Sequence, residues 1–275
     1  MTVLVTGSRG SVARRLIPLL RERGLDVRPA SSRPGEGAEG AVVCDLTDPA
    51  TFPAALEGVR SVFLYAEPSQ AAAFAGQAEA AGVEHIVLLS SASALEPDTD
   101  ASPIARLHRD AERALEESGV RATHLRPGAF AGNALAWAQA IKAGEPIGLP
   151  YPGAHTDPLH EADLARAALA VLTDPALGGR PYTITGPRSI TFTEQIETLS
   201  QVVGRPIEVR KLSEEEWSAE MAPFIPEEYQ RPLLGWWREH DGVPVETTGA
   251  VRELTGRPAL TFAEWAHEHA ADFTG

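Results

Sequence analysis

Short apolar runs and amphipathic stretches alternate through the first half of the chain. Met1–Thr6 reads M-T-V-L-V-T, and further apolar runs follow at Leu25–Pro29, Ala41–Cys44, Ser61–Tyr65, His85–Leu89 and Ala122–Leu125. Between them, apolar positions recur at helical spacing in Arg14–Arg23, Asp48–Glu57, Gln70–Ala81 and Ile104–Ser118, each followed by a glycine. Glycine at such a stop reads as a helix C-terminus. The strand segments are nearly continuous in apolar residues and do not alternate, which predicts a parallel sheet covered on both faces. The fold class expected is therefore α/β, a doubly wound parallel sheet.

The second half is less regular. Helices are predicted over Leu135–Ala143, Glu161–Thr173 and Thr193–Val203, and strands over Arg180–Thr185 and Ile207–Lys211, with a Pro/Gly-rich connection at Gly144–Gly153. Helical pieces and aromatic clusters fill Ser213–Gly275. The organisation expected is a nucleotide-binding unit over 1–153, completed by parts of 154–190, and a smaller lobe over 191–275 that folds back on the sheet.

The candidate chemistry begins at the first turn. Thr6, Gly7, Ser8, Arg9, Gly10, Ser11 and Val12 join the opening strand to the first helix. A strand, a glycine turn and a helix in immediate succession make a phosphate-binding corner. Glycines let the backbone approach a diphosphate, and the free amides of the helix start point at its charge. The expected ligand is a dinucleotide. At the end of the second strand, Arg28-Pro29-Ala30-Ser31-Ser32-Arg33 contains no carboxylate to bind ribose hydroxyls. Ser31, Ser32 and Arg33, with Arg9 within reach, suit a 2′-phosphate instead, so NADP(H) is expected ahead of NAD(H). Asp45 and Leu46, after the third strand, are candidates for the adenine; a turn-capping role for Asp45 is the alternative.

Composition narrows the partners. The chain has 275 residues and a net charge of −14, which argues against nucleic acid. Its single cysteine, Cys44, permits no internal disulfide and is expected to be a buried structural thiol. No leader peptide and no membrane-spanning run are expected, so the protein reads as cytoplasmic, a monomer or homodimer acting on a small molecule.

Four motifs in order carry a family resemblance: Gly7-x-x-Gly10-x-x-Ala13, Cys44-Asp45-Leu46, Val87-Leu88-Leu89-Ser90-Ser91 and Leu125-Arg126-Pro127. With these the chain resembles the NmrA-like atypical short-chain dehydrogenases/reductases over nearly its whole length, most strongly up to Asn133. The resemblance implies a Rossmann domain, NADP(H) at the strand C-termini, and a substrate lobe built mostly from the C-terminal part. The wider superfamily uses a serine after the fifth strand and Tyr-x-x-x-Lys on the next helix. Ser91 matches the serine, but Ile104 and His108 stand where the tyrosine and lysine would be.

The expected catalytic set is therefore Ser91, His108 and Tyr65, the last as a rival proton donor at the end of the fourth strand. Tyr65, Ala66, Ser90 and His108 are also candidates for cofactor contact, and Phe130, Asn133 and Trp236 for the substrate pocket. The activity expected is NADPH-dependent hydride transfer to a quinone- or enone-like molecule. The alternatives are a cofactor-binding sensor without turnover and a non-redox tailoring enzyme. His155, Asp157, His160 and Asp163 resemble a metal site only in composition, and no metal is expected.

Overall fold

The computed structural model describes residues 1–33, 35, 39–97 and 102–274. Among the described residues the strands are β1 Thr2–Val5, β2 Asp26–Ser31, β3 Val42–Val43, β4 Ser61–Tyr65, β5 His85–Leu89, β6 Arg121–Pro127, β7 Ile147–Leu149, β8 His155–Thr156, β9 Tyr182–Ile184, β10 Ile190–Thr191 and β11 Val209–Lys211. The α-helices are α1 Ser11–Glu22, α2 Phe52–Leu56, α3 Ala71–Ala80, α4 Pro103–Glu116, α5 Ala138–Ala143, α6 Glu161–Thr173, α7 Phe192–Val203, α8 Glu214–Met221, α9 Glu227–Glu239, α10 Ala250–Thr255, α11 Phe262–Glu268 and α12 Ala270–Phe273.

Seven strands form one sheet in the order β3-β2-β1-β4-β5-β6-β9, and every pairing in it is parallel. The order reverses beside β1, between β2 and β4. In an open α/β sheet that switch point leaves a crevice above the strand C-termini, because the connections on either side leave in opposite directions.

The helices cover both faces. On one, Val12, Ala13, Leu16, Ile17 and Leu20 of α1 pack with Leu164, Ala165 and Ala168 of α6, and with α10 beyond them. On the other, Phe52, Phe74, Ala78, Ala111 and Leu115 of α2, α3 and α4 meet Val62, Leu64, Ile86 and Leu88 of the sheet. Burial of each large apolar side chain contributes roughly 1.5–3 kcal/mol. The continuous apolar strands follow from this two-sided cover.

Several boundaries move from the sequence expectation. The first helix starts at Ser11, capped by Gly10, not at Arg14. β2 runs on to Ser31, whose hydroxyl is buried and accepts from the Arg33 amide at 3.1 Å, so Ser31 is a strand residue and not part of an open phosphate loop. The expected strand Ala41–Cys44 is only Val42–Val43. The stretch 144–153, expected to be irregular, contains β7, which pairs in parallel with β11 away from the main sheet. The pair β8–β10 carried no sequence signal, since two residues give no periodicity.

Trp265 is fully buried among Phe262, Phe192, Ile196 and Phe273, in a cluster that joins α5, α7, α11 and α12. Trp217 meets Trp237 edge-on at 5.0 Å, and Trp237 meets Phe192 at 5.3 Å. These tryptophans pack α8 and α9 onto that cluster. α10 crosses back to the sheet, where Thr248 bonds to Thr185 and to the Thr183 carbonyl.

Candidate active site

The turn after β1 lies at the switch point, and its backbone is shaped for close approach. Gly7 has φ +56°, a left-handed conformation that favours glycine. The Gly10 amide closes the turn on the Gly7 carbonyl at 2.8 Å, and the first helical bond of α1 runs from the Arg14 amide to Gly10. The amides of Ser11, Val12 and Ala13 thus lack intrahelical acceptors, as every helix start requires. The Ser8 hydroxyl is buried without a hydrogen-bond partner among the described residues. Cβ-free backbone, unspent donors and a positive helix end fit a diphosphate. Arg9 is exposed at the tip of the turn.

Thr6 is fully buried; its hydroxyl donates to the Phe63 carbonyl at 3.2 Å and accepts from the Tyr65 amide at 3.0 Å. Its side chain therefore stitches the end of β1 to the end of β4. The Tyr65 ring lies back over the glycine turn. A Cβ on Gly7 would stand 2.8 Å from that ring, and one on Gly10 would stand 2.2 Å from its hydroxyl. Burial raises the Tyr65 phenol above its ordinary value, partly offset by the Ala13 and Val12 amides that the hydroxyl faces.

At the nucleotide edge, Ser32 and Arg33 are exposed after β2. Asp45 accepts from the amide and the hydroxyl of Thr47 at 2.9 and 2.7 Å, and these bonds hold its carboxyl below the ordinary range. The turn-capping role is thus filled. Leu46 packs at the edge of the core. Cys44 is buried, and burial with the neighbouring Asp45 charge pushes its thiol up to about 12, so it is inert.

The other side of the crevice is built by β5, β6 and α4. Ser91 accepts from the Ser93 amide at 3.2 Å and from the Ser93 hydroxyl at 2.9 Å, which leaves its own proton free to be donated. Ser90 is buried and donates to Glu112 at 2.6 Å. Arg126 meets the same carboxylate twice, at 2.8 and 2.6 Å. Burial would raise the Glu112 carboxyl, but the bonds from Arg126 and Ser90 and the charges of Arg126 and His124 outweigh it and lower the net value. Glu112 and its ion pair escaped the sequence reading. The available signal was a carboxylate on the apolar face of α4, in line with Ala105, Ala111 and Leu115.

His108 lies one turn before Glu112 on the same helix face. Its Nδ1 is buried without a hydrogen-bond partner among the described residues. Burial holds the imidazole down at about 4 against the pull of Glu112, so it is neutral near pH 7. Phe130 forms a bridge with Leu159 and packs on the core, while Asn133 is exposed on the following turn. Trp236 stacks on His240 at 4.2 Å. Ala66, after Tyr65, is half-buried at the edge of the α3 core. Pro68, Pro103, Arg106 and Leu107 face Glu228 and Tyr229 of α9 across a cavity of about 380 Å³. The histidine and aspartate cluster beyond is divided among separate partners: His155 to Ser189, Asp157 to the Ala129 amide, Asp163 to the Leu260 amide.

These environments set an acid dependence. His85 and His108 move from an ordinary 6.5 to about 4 on folding, both chiefly through burial. Between those values the unfolded chain binds more protons, so stability is complete above pH 6.5 and is lost as pH falls toward 4. His124 and His160 are lowered by burial in the same sense, while Asp157, raised by burial from 3.8 to about 6, and Glu96, raised by burial and by the Glu239 charge, act in the opposite one. A lower urea midpoint at about pH 5 than at about pH 7 is expected, and His85→Gln should reduce the difference.

A parallel sheet with a glycine-built diphosphate cradle at its switch point defines a Rossmann-type dinucleotide-binding protein. A family model described as NAD(P)H-binding matches residues 7–175, and the chain belongs to that NmrA-like, atypical short-chain dehydrogenase/reductase family. It is 36% identical to a (4-alkanoyl-5-oxo-2,5-dihydrofuran-3-yl)methyl phosphate reductase of Streptomyces griseus, over 98% of this chain and 99% of the relative. It is 32% identical to an NAD(P)H azoreductase of Xenophilus azovorans over the same shares. In structure it is similar to an NADPH complex of an NADPH-dependent quinone oxidoreductase from Escherichia coli, with a TM-score of 0.82, 23% identity, and 97% and 99% of the two chains covered. That likeness concerns the fold. No described helix is long and apolar enough to cross a membrane.

Proposed function

We propose that this protein is an NADPH-dependent reductase that transfers hydride to a conjugated small-molecule acceptor of the quinone or enone type. The observation that carries this reading is the diphosphate cradle at the switch point, with the free Ser91 hydroxyl proton just past the end of β5, two strands along from β1. The relatives add support. The Streptomyces enzyme's name describes a ring double bond conjugated with two carbonyls, and the Xenophilus enzyme reduces azo compounds with NAD(P)H.

NADPH supplies the hydride. Gly7, Ser8, Arg9, Gly10, Ser11 and Val12 hold its diphosphate, Ser32 and Arg33 its 2′-phosphate, and Asp45 and Leu46 its adenine side. Ala66, Ser90 and His108 border the reactive end. A conjugated acceptor spreads the incoming negative charge onto an oxygen, so it needs a hydrogen-bond donor more than a strong acid. Ser91 serves as that donor, the proton that balances the hydride on the acceptor comes from water, and neutral His108, which has no acidic proton to give, orients that water or Ser91 by hydrogen bonding. Phe130, Asn133 and Trp236 line the acceptor pocket. The unit 1–153, completed by parts of 154–190, binds nucleotide, and the smaller lobe 191–275 binds the substrate. The protein works in the cytoplasm as a monomer or homodimer.

The test is NADPH consumption with a panel of quinones and conjugated enones. Stoichiometric loss of NADPH and acceptor is expected; tight NADPH binding with no consumption across the panel would sink the proposal. Arg33→Ala is expected to weaken NADPH roughly ten-fold and leave NADH unchanged, because a guanidinium–phosphate contact is lost only for the former. Equal losses for both would remove Arg33 from the 2′-phosphate site.

A further inference from the structure

One side chain occupies the space at the switch point that a diphosphate would need. The Tyr65 ring lies on Gly7 and its hydroxyl lies on Gly10, on the Cβ-free surface that a diphosphate would use. The hydroxyl faces the amides of Val12 and Ala13 without closing a regular hydrogen bond to any described group. It therefore covers the positive helix end while leaving its donors unspent. The ring also meets Phe63 edge-on at 5.8 Å. The Tyr65 backbone is fixed, because its amide is held by the Thr6 hydroxyl at 3.0 Å and its strand pairs with β5. Only rotation of the side chain can clear the turn.

We infer that Tyr65 is a gate on the diphosphate cradle: its ring and the dinucleotide's diphosphate exclude one another, and the nucleotide binds only after the side chain swings off Gly7 and Gly10. This rests on the dinucleotide reading above. The consequence is a conformational tax on binding. When only a fraction of molecules has the ring displaced, the apparent dissociation constant rises by the inverse of that fraction. The tax falls on whichever ligand places a group on the turn, so Tyr65 sets affinity and association rate without contacting the reacting atoms. A ligand with no group on the turn escapes it.

Fluorescence titration and stopped-flow mixing with NADPH test this on the purified chain. Tyr65→Ala is expected to bind NADPH roughly ten-fold tighter and to associate faster, with Tyr65→Phe between it and the native protein. The native association rate should level off at high NADPH as ring departure becomes limiting, whereas the Tyr65→Ala rate should rise linearly. Unchanged or weaker binding by Tyr65→Ala would overturn the gate.

A second measurement needs no disruptive variant. The chain has four tyrosines, and in 3-fluorotyrosine-labelled protein the resonance missing from Tyr65→Phe should move to a solvent-exposed position as NADP⁺ saturates. A Tyr65 resonance unmoved at saturation would overturn the gate alone. Absence of nucleotide binding by both native and Tyr65→Ala protein would overturn the dinucleotide reading together with the gate.

Discussion

Gly10→Val should lower NADPH affinity at least ~100-fold, equivalent to about 2.8 kcal/mol. The position is tight from two directions. A Cβ there would stand 2.2 Å from the Tyr65 hydroxyl and 3.2 Å from the Gly7 carbonyl. The first is a movable side chain, and the second is backbone. A valine would hold its methyl groups over the turn, where the diphosphate must approach the Ser11, Val12 and Ala13 amides. Gly10 has φ −67°, an ordinary conformation, so the loss is steric and not a matter of backbone strain. Folding should survive, because Tyr65 can turn away, and the thermal midpoint is the control. A folded Gly10→Val chain with native NADPH affinity would remove the turn from the nucleotide site.

The second large effect is on stability. Glu112→Ala is expected to cost about 3–5 kcal/mol in urea unfolding, the range for removing one partner of a buried ion pair. Glu112 is fully buried and Arg126 nearly so, and the Ser90 hydroxyl ends on the same carboxylate. Alanine would leave a buried guanidinium and a buried hydroxyl with no acceptor. Exchanging both partners, as Glu112→Met with Arg126→Met, should recover much of the loss, since neither charge is then buried alone. The exposed pair Arg60–Glu84 gives the contrast; at 2.6 Å it is as short, yet Glu84→Ala should cost under about 1 kcal/mol because solvent screens it. A Glu112→Ala cost below about 1 kcal/mol would mean that the pair carries no net stability. Glu112 shares its helix face with His108, so the same variant should disturb the reactive side of the crevice.

Much of the nucleotide-binding half was legible along the chain. Apolar runs such as Val62–Leu64 and Ile86–Leu88 are buried on both faces of a parallel sheet, so their own composition reports their place. Helix stops at Gly24, Gly58 and Gly82 were legible because left-handed backbone favours glycine. Gly7 was legible for the same reason, and Gly10 from its place in a turn between a strand and a helix.

The remainder depended on contacts between residues far apart in sequence. Nothing near Tyr65 in the chain says that its ring turns back over Gly7, because that rotamer is set by packing against a turn 58 residues earlier (65 − 7). Nor does the sequence say that Arg126 and Ser90 converge on Glu112, a bond set assembled only when β5, β6 and α4 pack together. β7 was hidden in a Pro/Gly-rich stretch because its partner, β11, lies some sixty residues on. Local composition fixes which segments are strands, helices and turns, since it acts through backbone preference and burial. Which polar groups find partners, and which remain available for chemistry, is decided by the packed fold, where a buried donor or acceptor must be satisfied by whatever the topology brings beside it.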